Sequence, residues 1–205
     1  MSGGSGRRGG GLKWPSLILA SGSPRRRELL EELGVRFKVV TEDVEELSGG
    51  HMTPVELCRA NAFRKAQVVA MRHPERLVLG ADTLVHLGAE AFGKPGSMAG
   101  ARRMLRRLSG QVHEVTTACC LTQWRPPKRM VFVETTRVRL GTLSDRQIRR
   151  YLAAVNPLDK AGGYAIQEHG EWIVEWIDGS FTNVVGLPVR RVRAELETWH
   201  GREMV

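Results

Sequence analysis

Short apolar runs and longer amphipathic stripes alternate along this chain, and together they predict its elements. LILAS (17–21) is an apolar run of strand length. The segment that follows is capped by Ser23 and Pro24, carries Leu29, Leu30 and Leu33 at helical spacing, and stops at Gly34. FKVVT (37–41) reads as the next strand. TPVELCRANAFRKAQVVAMR (53–72) opens on Thr53, Pro54 and Glu56, a capping box with proline at the first helical position, and predicts a long helix. RLVLGADTLVHL (76–87) and EAFGK (90–94) read as strands joined at Gly88 and Ala89, with a helix from about Ser97 to Leu108 behind them. QVHEVTTACCLTQW (111–124) and MVFVETTRVRLG (130–141) predict long paired strands around RPPK. SDRQIRRYLAAV (144–155) is a helix capped by Ser144, EWIVEWIDGS (171–180) a late strand, and Pro188 to His200 a closing helix.

Alternating strands and helices without an internal repeat or long linker predict an α/β protein. We expect a single domain over 17–205, built on a twisted mixed β-sheet flanked by helices. Residues 1–16 contain no apolar stretch like that of a secretory signal and read as a flexible Gly-rich tail. No apolar run approaches the roughly 20 residues that span a bilayer.

Composition narrows the chemistry. Cys58, Cys119 and Cys120 are odd in number and have no metal-ligand spacing, which argues against a disulfide framework and for the cytoplasm. The adjacent pair should point to opposite faces of its strand. No HExxH-type histidine pair suggests zinc. The net charge of +9 favours a polyanionic partner: nucleic acid, nucleotide or acidic membrane. In ARRMLRRL (101–108) and the residues before it, Met98, Ala101, Leu105 and Leu108 predict a buried stripe, with the arginines solvated between them.

Arg25, Arg26 and Arg27 are anomalous. They occupy a helical first turn, where the backbone already carries about half a positive charge. An anion bound at that turn would explain them, because backbone N–H groups and guanidinium forks both grip phosphate. Three further segments carry chemistry: GADT (80–83), FGKP (92–95) and LDKAGGYAIQ (158–167). A carboxylate at a strand end, such as Asp82, suits metal binding or activation of water, although turn and surface roles are equally open to each segment alone.

In order along the chain, SGSPRR, GADT, GKP, LSGQVHEV, DKAGGYAIQ and NVVGLP resemble the Maf family of nucleotide pyrophosphatases from Leu17 to about Arg193. The resemblance implies a nucleotide-binding cleft between two lobes, and hydrolysis of a nucleoside triphosphate to the monophosphate and pyrophosphate with a divalent metal, Mg²⁺ or Mn²⁺. It assigns catalysis to Asp82, metal binding to Asp82 and Glu46, and substrate binding to Ser21, Arg25, Arg26, Lys65, Thr83, Lys94 and Gln167. EDVEEL offers Glu45 beside Glu46, so the choice between them stays open.

Residue chemistry agrees with these implications. Four cationic side chains can balance a triphosphate, and hard carboxylate oxygens suit Mg²⁺ or Mn²⁺. Arg25, Thr83 and Gln167 match the branch that resembles dTTP/UTP pyrophosphatases. The branch associated with 7-methyl-GTP tends to carry Trp, Gln and an acidic residue there. An amide pairs with a uracil or thymine edge, whereas an acid and an aromatic suit a cationic purine. The alternatives are a 7-methyl-GTP pyrophosphatase and a basic nucleic-acid-binding or regulatory protein. No stable nucleic-acid complex and no membrane association are expected, and a homodimer is left open.

Overall fold

In the computed structural model, which describes residues 16–48 and 50–201, the alternating pattern becomes a seven-stranded mixed sheet. Apart from Ser16, the Gly-rich tail lies outside the described residues, as do residues 202–205. Strand β1 (Leu17–Leu19) runs parallel to β2 (Phe37–Val39) and to β3 (Leu77–Leu87). On its other edge β3 pairs antiparallel with β5 (Val112–Gln123), which pairs with β6 (Lys128–Leu140), and β6 with β7 (Val174–Asp178). The short strand β4 (Glu90–Phe92) returns antiparallel onto the end of β3.

Helices cover both faces of β1 and of the first part of β3, which is why residues 17–19 and 77–79 are apolar at every position. Leu17, Leu19, Leu77 and Leu79 pack with Leu29 and Leu30 of α1 (Pro24–Glu32) and with Leu196 and Trp199 of α6 (Val189–Gly201). Ile18 and Val78 point the other way, onto Ala66, Val69 and Ala70 of α2 (Pro54–Arg72). The far halves of the long strands form a second lobe, in which Val85, Val115 and Val138 pack with α3 (Met98–Leu108) and α4 (Asp145–Ala154). Cys119 and Cys120 fall into opposite core groups, as strand alternation requires.

Local signals act as read. Ser23 accepts from the N–H of Arg26, Thr53 and Glu56 close a capping box, and Ser144 closes another with Gln147. Gly34 adopts φ +74° just beyond α1, where a side chain would be strained.

Two expectations are corrected. Met98 is 47% exposed, because it opens α3 before the helix meets the sheet; the buried residues of α3 are Gly100, Ala101, Leu105 and Leu108. EWIVEWIDGS is not one strand: residues 170–172 form a 3₁₀ turn, and β7 begins only at Val174. His169 enters that turn in the left-handed region and stacks on Trp172 at 4.2 Å, turning the chain before it can pair with β6. NVVGLP holds the end of a short helix, α5 (Phe181–Val185), capped by Ser180.

Candidate active site

The site begins with a split in the sheet. One edge of β3 is held by β1 through Leu79 and by β4 from Val85 onward. Among the described residues no strand pairs with 80–84 on that edge, so GADT borders an opening with β5 firm behind it. A cleft of about 460 Å³ lies there. The loop after β1, the start of α1, the 41–46 segment, Lys65 of α2, the turn after β4 and the 159–167 segment all line it. Ser21, Arg25, Arg26, Glu46, Lys65, Asp82, Thr83, Lys94 and Gln167 all face this one cavity. Glu46, not its neighbour Glu45, is the lining residue.

Lys65 is brought to the cleft by close packing of α2 on β3. A Cβ on Gly80 would lie 2.6 Å from the carbonyl of Ala62 and 2.7 Å from the N of Ala66, so only glycine lets the helix sit this near. Lys65 Nζ then donates to Asp82 Oδ1 and to Glu46 Oε1, each at 2.6 Å. Asp82 is 5% exposed, and a carboxylate so buried must be paired or protonated. Its Oδ2 is buried with no hydrogen-bond partner. For Glu46, burial opposes the charged form, but the Lys65 hydrogen bond and the charges of Lys65, Lys94 and Arg26 outweigh it. They hold the carboxyl below its ordinary range.

The arginines of the first turn of α1 each have partners, carboxylates for Arg25 and Arg27 and neutral oxygens for Arg26. Arg25 donates to the Asp159 carboxylate at 2.9 Å and to its carbonyl at 3.2 Å, tying α1 to the 159–167 segment. Arg26 donates to Gly186 O (2.9 Å), Ser21 Oγ (3.1 Å) and Thr83 Oγ1 (2.9 Å). Arg27 pairs with Glu31 one turn on. Lys94 and Gln167 are exposed and make no hydrogen bond or ion pair among the described residues.

The paired glycines of DKAGGYAIQ do specific work. Gly162 and Gly163 have φ +71° and +73°, and a Cβ at Gly162 would press on Val85 at 3.1 Å. The turn they form brings Gln167 to the cleft. Lys160, 5% exposed, donates to Asn156 O (2.7 Å) and to Asp159 Oδ1 (2.9 Å), and pairs with Glu168 (3.1 Å). It therefore sits beneath this wall, a role that its place beside Asp159 in sequence does not reveal.

A family model described as Maf-like protein matches residues 16–199. The chain belongs to the Maf family. It is 47% identical over 178 residues to a protein of Akkermansia muciniphila named dTTP/UTP pyrophosphatase, covering 87% of this chain and 93% of that one. It is 46% identical to a protein of the same name from Bacillus cytotoxicus, covering 88% of this chain and 93% of that one. The fold resembles that of the Ham1 protein of Staphylococcus aureus, with TM-score 0.52 and 14% identity over 91% of this chain and 99% of that chain. Within the Maf fold the motifs therefore converge from separate elements on one opening in the sheet.

Proposed function

We propose that this Maf protein hydrolyses dTTP and UTP to the nucleoside monophosphate and pyrophosphate. The observation that carries the reading is the floor of the cleft, where Lys65 joins Asp82 and Glu46 and leaves Asp82 Oδ2 without a partner. The names of the two pyrophosphatase relatives support the substrate.

The residues fit a hard divalent cation. Glu46 and Asp82 would hold it, Oδ2 of Asp82 being a buried oxygen that lacks a donor. Among the described residues no group of three or more His, Cys, Asp or Glu offers a full protein cage. That pattern suits Mg²⁺ or Mn²⁺, which keep water and phosphate ligands. When bound, the cation would lower the pKa of water and offset phosphate charge.

The protein's own part is orientation and charge. Lys65 holds two carboxylates together against their repulsion. Arg26 has five N–H donors, of which three contact the protein, so two are left for phosphate oxygens. A water oxygen bonds to the α-phosphorus, the α–β bridging P–O bond breaks, and pyrophosphate leaves with that oxygen. Asp82 accepts the water proton. Lys94, which makes no hydrogen bond or ion pair among the described residues, neutralises charge on the departing pyrophosphate. The exposed amide of Gln167 meets the pyrimidine edge.

We infer a cytoplasmic setting, supported by three free, buried cysteines. No described helix is long and apolar enough to cross a membrane. A homodimer is an expectation that sedimentation reads directly. The deciding experiment measures pyrophosphate release from dTTP, UTP and 7-methyl-GTP with Mg²⁺ or Mn²⁺. Higher kcat/KM for the pyrimidines is expected. Preference for the methylated purine overturns the substrate, and no release from any of them overturns the reaction.

A further inference from the structure

The motif NVVGLP has no role in the chemistry above, yet its residues lie directly behind Arg26. Gly186 O accepts from Arg26 Nε. A second path runs through the half-buried hydroxyl of Thr83 and the buried one of Thr117. Arg26 Nη2 donates to Thr83 Oγ1 (2.9 Å), Thr83 Oγ1 lies 3.0 Å from Thr117 Oγ1, and Thr117 donates to the backbone carbonyl of Asn183 (3.1 Å). Thr117 and Asn183 are both 0% exposed.

The direction of every proton in this chain follows from elementary valence. A carbonyl only accepts, so the single hydroxyl proton of Thr117 is committed to Asn183. The Thr83–Thr117 contact must then use the proton of Thr83, because Thr117 has none left. Arginine only donates, so Thr83 accepts from Arg26. All three bonds point away from the guanidinium. Each hydroxyl presents its oxygen to the cation, and such aligned chains strengthen one another.

The far end is rigid. Asn183 Nδ2 donates to Val115 O (2.9 Å) and to Thr136 Oγ1 (3.0 Å), and Ser180 is tied to the same threonine. The relay therefore ends on a helix that is pinned to the sheet.

We propose that Thr117 is a positioning residue for Arg26: with its own proton spent on Asn183, it takes the Thr83 proton and so fixes the Thr83 hydroxyl with its oxygen toward the guanidinium. This rests on the reading that Arg26 grips phosphate. Without the Thr117 hydroxyl, Thr83 has no internal acceptor and its proton can turn toward the cleft. Arg26 then loses a polarised anchor while the bonds to Gly186 and Ser21 remain.

The test compares Thr117→Val, Thr117→Ser and Thr116→Val. Thr116 is also 0% exposed on β5, but it bonds His86 and Thr135 and has no contact with Arg26. Thr117→Val is expected to raise KM for dTTP about 5- to 10-fold with kcat nearly unchanged, as for a lost contact made equally before and during reaction. Thr117→Ser should restore KM. Thr116→Val should lower the unfolding midpoint comparably and leave KM alone. A Thr117→Val KM equal to that of Thr116→Val overturns the relay. Nitrogen-15 NMR of the Arg26 guanidinium gives a readout that needs no turnover: rotation about Cζ–Nη2 should quicken in Thr117→Val only. Unchanged rotation overturns the relay. An inactive wild-type protein with quickened rotation in Thr117→Val would overturn the substrate reading and leave the relay standing.

Discussion

The ammonium of Lys65 stands 2.6 Å from Oδ1 of Asp82, so that one ion pair welds helix α2 to the split edge of strand β3. The same ammonium holds Glu46, and the two carboxylates of the cleft floor are thereby gathered by a residue from neither of their own segments.

Asp82→Asn keeps the size of the side chain but removes the proton acceptor and the charge that Lys65 pairs. It should retain the fold and lower kcat by about 10²–10⁴-fold. Pyrophosphate release by the purified variant, checked against its circular dichroism, reads this. A near wild-type rate would remove Asp82 from the role of base.

Arg26→Ala and Lys94→Ala should both weaken a non-hydrolysable triphosphate, each by a charge-assisted contact worth roughly 1.5–3 kcal/mol. Their stabilities should differ. Arg26 carries three hydrogen bonds to the protein, whereas Lys94 makes none among the described residues, so only the first should lower the melting temperature. Calorimetric titration beside thermal unfolding separates the two effects, and unchanged affinity in both would end the phosphate assignment.

Gly80→Ala places a methyl where the backbone of α2 already stands, 2.6 Å from Ala62 O. The helix must move, at a cost of about 1–3 kcal/mol. Lys65 moves with it, so kcat should fall along with the urea midpoint. A variant with wild-type stability would mean that α2 has slack at this crossing.

Gln167→Glu should lower kcat/KM for dTTP at least tenfold, because an acid loses the N–H donor of the amide and sets a negative charge among phosphates. The side chain is exposed, so the melting temperature should not change. Parallel kinetics on dTTP and UTP decide whether both pyrimidines depend on it.

Acid stability should reflect His113. Burial, with the nearby His86 adding to it, depresses its pKa from 6.5 to about 4. Between those values the unfolded chain binds a proton that the folded chain refuses, so stability falls as pH drops from 6.5 through 4. His113→Gln should flatten that slope in urea midpoints taken at pH 7 and pH 5. An equal slope in both proteins would clear His113 of the effect.

The sequence alone determined the elements and their caps, because these depend on neighbours within a few residues. Ser23, the Thr53–Glu56 box and the leucines of α1 act through single turns, and the motif order identified the family. It also marked which side chains carry chemistry, since SPRR conflicts with a helix dipole wherever the helix goes. Tertiary structure alone decided what those side chains touch. Arg25 and Asp159 are separated by 134 positions, and Lys65 and Asp82 by 17, so no local period encodes either pair. The choice of Glu46 over Glu45 depends on which way an irregular segment faces α2. The relay behind Arg26 likewise follows from the pairing of β3 with β5, and the exposure of Met98 from where α3 meets the sheet. Pairing across a sheet is a property of the assembled fold, and residues far apart in the chain acquire partners only when it closes.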